Sequence, residues 1–112
     1  MPYASHVPFE TWILPKAHLS SFGRVEPAHL RPLAALLKKV LAKLYVGLDN
    51  PDFNLTVNTS PRGDEDKWYF LWHMEIVPRL TKPAGFELGS GMAINTVLPE
   101  QAAESLREVE PA

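Results

Sequence analysis

Apolar residues recur along this chain with two different periods, and the periods divide it into elements. Phe9 to Leu14, F-E-T-W-I-L, is aromatic and β-branched and is bounded by Pro8 and Pro15, which predicts a short strand. Leu30, Leu33, Leu36, Leu37, Val40, Leu41 and Leu44 follow at steps of three and four, the period of a helix. That helix is expected to open near Glu26-Pro27 and stop near Gly47; Pro32 is either tolerated close to the start or marks it. Lys38, Lys39 and Lys43 read as its solvated face. Phe53 to Thr59 alternates strictly, with Phe53, Leu55 and Val57 on one side and Asn54, Thr56 and Asn58 on the other. The polar loop S-P-R-G-D-E-D leads into a long apolar strand over Trp68–Val77. A loop over Pro78–Gly91, a strand over Met92–Val97 and a helix from Pro99 complete the chain, the helix burying Ala102, Ala103, Leu106 and Val109. The order β-α-β-β-β-α, with neighbouring strands joined by short loops, predicts a single α+β domain over residues 1–112: an antiparallel sheet with two helices packed on one side.

The strand W-Y-F-L-W-H-M-E-I-V carries the first chemistry. Side chains two apart in an extended chain share a face, so Trp68, Phe70, Trp72, Met74 and Ile76 form a uniformly apolar side. Tyr69, Leu71, His73, Glu75 and Val77 form the other, which turns ionisable partway along. A carboxylate beside an imidazole can orient the ring or share a metal ion with it. Two ligands fall short of the three or four that zinc takes. From spacing alone, His73 and Glu75 are either a satisfied polar pair or part of a site. In the loop R-L-T-K-P-A-G-F-E-L-G-S-G, glycines would let backbone amides approach a ligand, Lys82 could meet a phosphate, and Glu87 could accept hydrogen bonds from sugar hydroxyls. The loop matches no Walker A or dinucleotide fingerprint, and a turn-rich loop without a ligand stays open as the alternative.

Composition narrows the classes. At 112 residues, 46% hydrophobic and 21% charged, the chain is an ordinary globular length and mix. A formal net charge of -2 gives no electrostatic argument for nucleic acid. No run approaches the roughly 18 apolar residues of a membrane span. Without cysteine there is neither a disulfide nor a thiolate metal site, and a cytoplasmic location is expected. Eleven prolines punctuate the chain, and its abrupt start suits either a short gene or a piece of a longer one.

Three stretches then carry a resemblance: P-Y-A-S-H-V-P-F-E-T-W-I-L-P-K-A-H, W-H-M-E-I-V-P-R-L, and P-A-G-F-E-L-G-S-G-M-A-I-N-T-V-L-P-E-Q-A-A. From Pro2 to about Glu108 the chain resembles the C-terminal half of the galactose-1-phosphate uridylyltransferase family, within the histidine-triad superfamily. The resemblance implies a histidine-triad-like fold and a role in moving a uridylyl group between hexose 1-phosphates. It implies contacts with a UDP-hexose or hexose 1-phosphate through Glu87, with Phe86, Lys82 and Asn95 nearby. It implies a homodimer, or pairing with an N-terminal half that holds the H-P-H nucleophile; no H-P-H occurs here. Leu71, His73 and Glu75 stand at the H-x-H-x-H triad positions, and His73 and Glu75 at positions that hold a structural zinc or iron in some members. Asn58 stands where those members supply another histidine. The chain is thus expected to contribute substrate contacts and oligomer surface. A stand-alone nucleotide- or partner-binding module is the alternative, and His73 acting as nucleophile is a third reading.

Overall fold

A computed structural model describes residues 1–111. Strand β1 (Thr11–Ile13) leads through a 3-10 turn at Phe22–Arg24 to helix α1 (Pro27–Gly47). Strands β2 (Phe53–Asn58) and β3 (His73–Pro78), the short helix α2 (Gly85–Ser90) and helix α3 (Pro99–Glu108) follow. The sheet is antiparallel with order β1-β3-β2, so the strand carrying His73 and Glu75 is central. The expected α+β, histidine-triad-like architecture is observed.

Alternation decides the core. Along β3, Met74, Ile76 and Pro78 are buried while His73, Glu75 and Val77 are half-buried. Ile13, Leu44, Trp72, Met74, Ile76 and Leu106 form one cluster, so both long helices close the same side of the sheet. Leu33, Leu37, Val40 and Leu41 pack against that cluster, whereas Leu30 and Leu36 are exposed. Helix α1 starts at Pro27, which puts Pro32 inside it. Its missing N–H leaves the Ala28 carbonyl without an intrahelical donor, at an exposed position that water reaches. Asp49 and Asn50, two residue types that tolerate positive φ, turn the chain from α1 toward β2 at φ 56 and 54. Among the described residues, no helix is long and apolar enough to cross a membrane.

Four expectations are corrected. The strand expected over Trp68–Val77 begins only at His73. Pro15 has no N–H with which to extend the β1 ladder, and Trp72 N–H is taken instead by the Leu19 carbonyl at 3.0 Å. Trp68 therefore lies outside the core and stacks on His18, 80% exposed. Residues 92–97 form no strand, because Asn95 Oδ1 accepts the Val97 N–H at 3.0 Å in a local turn. The loop expected over Pro78–Gly91 contains α2, closed by Gly91 at φ 71. Lys43 is not solvated: its Nζ donates to the carbonyls of Leu106, Arg107 and Val109 at 2.9, 3.0 and 2.8 Å, clasping the end of α3.

Candidate functional site

The face of the sheet opposite the core holds the ionisable residues. Pairing sets Trp12 and Thr56 on either side of Glu75, and Asn58 beside His73. Residues paired in an antiparallel ladder project to the same side, so Trp12, Thr56, Asn58, His73 and Glu75 share this face. His73 Nε2 lies 3.2 Å from Glu75 Oε1, and His73 Nδ1 lies 3.0 Å from the Leu71 carbonyl. Both partners are acceptors, and the tautomer sets which ring nitrogen donates. The Trp12 indole stacks on the imidazole with centroids 4.7 Å apart and planes at 20°. Phe70 is tilted against it at 6.0 Å. With side-chain exposures of 16% and 27%, His73 and Glu75 are sheltered but reachable.

Behind Trp12 stands a carboxylate that the sequence reading passed over. Glu10 is 3% exposed; its Oε1 accepts the Trp12 Nε1–H at 2.9 Å and its Oε2 accepts the His6 backbone N–H at 2.6 Å. A signal was present in the sequence: an acidic residue inside an apolar strand, two positions before a tryptophan on the same face.

The other candidate residues sit in the segment after β3. Phe86 and Lys82 are exposed, and Glu87 is half-buried at the start of α2. Glu87 Oε2 accepts the Ala84 N–H, half of a capping box, because Ala84 has no side-chain oxygen to return the bond. Asn95 Nδ2 donates to the Ser5 carbonyl at 3.3 Å, which ties this segment to the strand-entry residues that hold Glu10. Among the described residues, no hydrogen bond joins Lys82, Phe86 or Glu87 to His73 or Glu75.

His73 and Glu75, taken for a zinc or iron pair, make only half a metal site here. No group of three His, Asp or Glu lies together among the described residues, and Asn58 Nδ2 turns toward Thr56 Oγ1 at 3.5 Å. Among the described residues, His73 and Glu75 thus stand as a pair without a third ligand.

Away from this face, a concavity of about 560 Å³ opens between the chain after β1 and the first half of α1. Ile13, Leu33 and Trp72 line it with His18, Arg24 and His29. Arg24 is ion-paired with Asp66, and His18 Nε2 lies 3.2 Å from the Lys67 carbonyl.

No protein-family model matches the chain. It is 40% identical over 110 residues to ADP-glucose phosphorylase of Arabidopsis thaliana, an alignment covering 96% of this chain and 31% of that protein. Galactose-1-phosphate uridylyltransferase of Thermotoga maritima is 33% identical over 98% of this chain and 37% of its own length. The crystal structure of the Arabidopsis thaliana ADP-glucose phosphorylase with bound ADP-glucose superimposes with a TM-score of 0.89 at 38% identity, covering 97% of this chain and 36% of that one. A uridylyltransferase structure superimposes with a TM-score of 0.82 at 25% identity, over 95% of this chain and 36% of that chain. The chain spans about a third of the length of these relatives. Motifs, fold and identity agree: the chain corresponds to the C-terminal portion of galactose-1-phosphate uridylyltransferase-like proteins.

Proposed function

We propose that this chain is the nucleotide-sugar-contacting domain of a hexose-1-phosphate nucleotidyltransferase-like protein, with the nucleophilic histidine supplied from outside its residues. The observation that carries this is the 40% identity, over nearly the whole chain, to an ADP-glucose phosphorylase. Glu87 is the hexose anchor: Oε2 is held by the Ala84 N–H, and Oε1 makes no hydrogen bond among the described residues. Phe86 and Lys82, both exposed beside it, would cover an apolar face of the ligand and meet its diphosphate. Asn95 fixes the segment from behind through Ser5. His73, on the sheet face, is a fixed group rather than the nucleophile, since both ring nitrogens face acceptors. A nucleophile needs a free lone pair aimed at the phosphorus. The apolar row Phe53, Leu55 and Val57, exposed on the edge strand β2, supports an oligomeric assembly.

Calorimetric titration of the chain with ADP-glucose and with UDP-glucose tests the reading. At least one of the two should bind, and Glu87→Ala should weaken that binding at least about tenfold, the loss of one charged hydrogen-bonding group. Failure of both ligands to bind, or an unchanged affinity in Glu87→Ala, would overturn it. Intact-mass analysis after incubation should show no nucleotidyl adduct. An adduct that disappears in His73→Ala would make His73 a catalyst instead.

A further inference from the structure

We infer that Glu10 is a positioning residue, fixing the imidazole of His73 through the indole of Trp12. The inference rests on reading His73 as part of the site, though not on which ligand the site takes.

The chain enters β1 through an unfavourable conformation. Phe9, a bulky residue, has φ 64, in the left-handed region that non-glycine residues rarely adopt. Such strain persists only where the surroundings impose it, and it concentrates at functional positions. Here Pro8 is buried, Phe9 packs against the core cluster, and Thr11 Oγ1 donates to the Phe9 carbonyl at 3.0 Å. The turn carries Glu10 inward to 3% exposure. A carboxylate taken out of water needs donors, and Glu10 has two: the His6 N–H and the Trp12 indole N–H. His6 Nδ1 lies 3.8 Å from the same carboxylate, itself largely exposed.

Trp12 is thereby held by its polar edge while its face is applied to His73. The register sets Trp12 opposite Glu75, so its ring reaches the diagonal neighbour to stack. An unanchored indole has several rotamers available, and only an orientation near the observed one stacks at 4.7 Å and 20°. His73 is therefore fixed on three sides: Leu71 and Glu75 take its edges, and Trp12, held by Glu10, takes a face. Were Glu10 only a filler of the core, its effect would stop at stability and leave the His73 ring in place.

Nuclear magnetic resonance of the ligand-free chain separates these roles, with His73 signals assigned by a His73→Gln variant. In the unsubstituted chain the His73 ring protons should be displaced upfield by the Trp12 ring current. The Trp12 indole N–H should exchange with solvent far more slowly than that of exposed Trp68. Trp12→Leu and Glu10→Leu should both return the His73 signals toward free-imidazole positions, and Glu10→Gln, which keeps an acceptor of the same shape, should largely retain the shift. His73 signals that move in Trp12→Leu but not in Glu10→Leu would overturn the assignment. So would a Trp12 indole N–H that exchanges as fast as that of Trp68, a comparison that decides the matter even if Glu10→Leu does not fold. A negative result here leaves nucleotide-sugar binding untouched, because that is read separately by calorimetry.

Discussion

Lys43→Met should loosen α3 from α1, and the structure sets the size of the effect. The Lys43 ammonium donates to three carbonyls at the C-terminal end of α3, those of Leu106, Arg107 and Val109. These lie where a helix runs out of its own donors and where its dipole is negative. One charged hydrogen bond is worth about 1.5 to 3 kcal/mol net. Three bonds from one half-buried ammonium do not add, since ordering the lysine costs up to about 2 kcal/mol and water can replace part of what is lost. Methionine keeps most of the apolar stem, so the packing contribution of the side chain is largely retained. The expected loss is about 2 kcal/mol, or roughly 8 °C in Tm for a domain of this size. Thermal denaturation followed by circular dichroism reads it, with Lys38→Met as the control. Lys38 lies exposed on the same helix, and its replacement should change stability by less than about 0.5 kcal/mol. Amide exchange should show faster opening in α3 before β3. A fall below about 2 °C, or equal effects from the two lysines, would refute the clasp as a stabilising contact.

Other outcomes follow from single features. Ile76 is 0% exposed at the centre of the middle strand, so Ile76→Ala should cost about 3 to 4 kcal/mol, read as a lower urea midpoint; a loss under about 1 kcal/mol would mean the cluster is not the core. The Tyr69 phenol is raised above its ordinary value, first by donating to the Asp64 carboxylate, then by desolvation and by the Asp64 charge. The neutral phenol is the form the fold favours, so this contact contributes below the ordinary tyrosine range and is lost as pH rises through the raised value. Phenolate absorbance should show one tyrosine titrating late, and Asp64→Asn should return it toward its ordinary range; three tyrosines titrating alike in the unsubstituted chain would contradict the contact. The loss expected in Glu87→Ala binding and the change expected in the Glu10→Leu ring signals test the α2 segment and the sheet face independently.

Much of the fold could be read from periods alone. The step of three and four through Leu33, Leu37, Val40, Leu41 and Leu44 marked α1, and the alternation through Trp72, Met74 and Ile76 marked the buried side of β3. Local pattern reads these well because a helix or strand puts side chains on faces at fixed intervals. It overran where the partner of a strand, not its own residues, set the limit. Trp68 to Leu71 is as apolar as any strand, yet Pro15 ends the neighbouring ladder and the aromatic residues turn outward. The same blindness turned residues 92–97 into a strand, because one asparagine side chain takes the Val97 N–H that a ladder would otherwise use.

The site divides in the same way. That His73 and Glu75 share a face, opposite a buried row, follows from their spacing in any extended strand, and the motifs around them pointed to a nucleotidyltransferase-like relative. Three things required the tertiary structure. Antiparallel register laid Trp12 across from Glu75, the turn at Phe9 drove Glu10 beneath it, and helix packing brought Lys43 to the end of α3. Each joins residues far apart in the chain, or turns on a backbone angle, and a one-residue slip in pairing would send every side chain of the strand to the other face. Period fixes the face a residue takes; only the assembled sheet and helices settle which residues meet there.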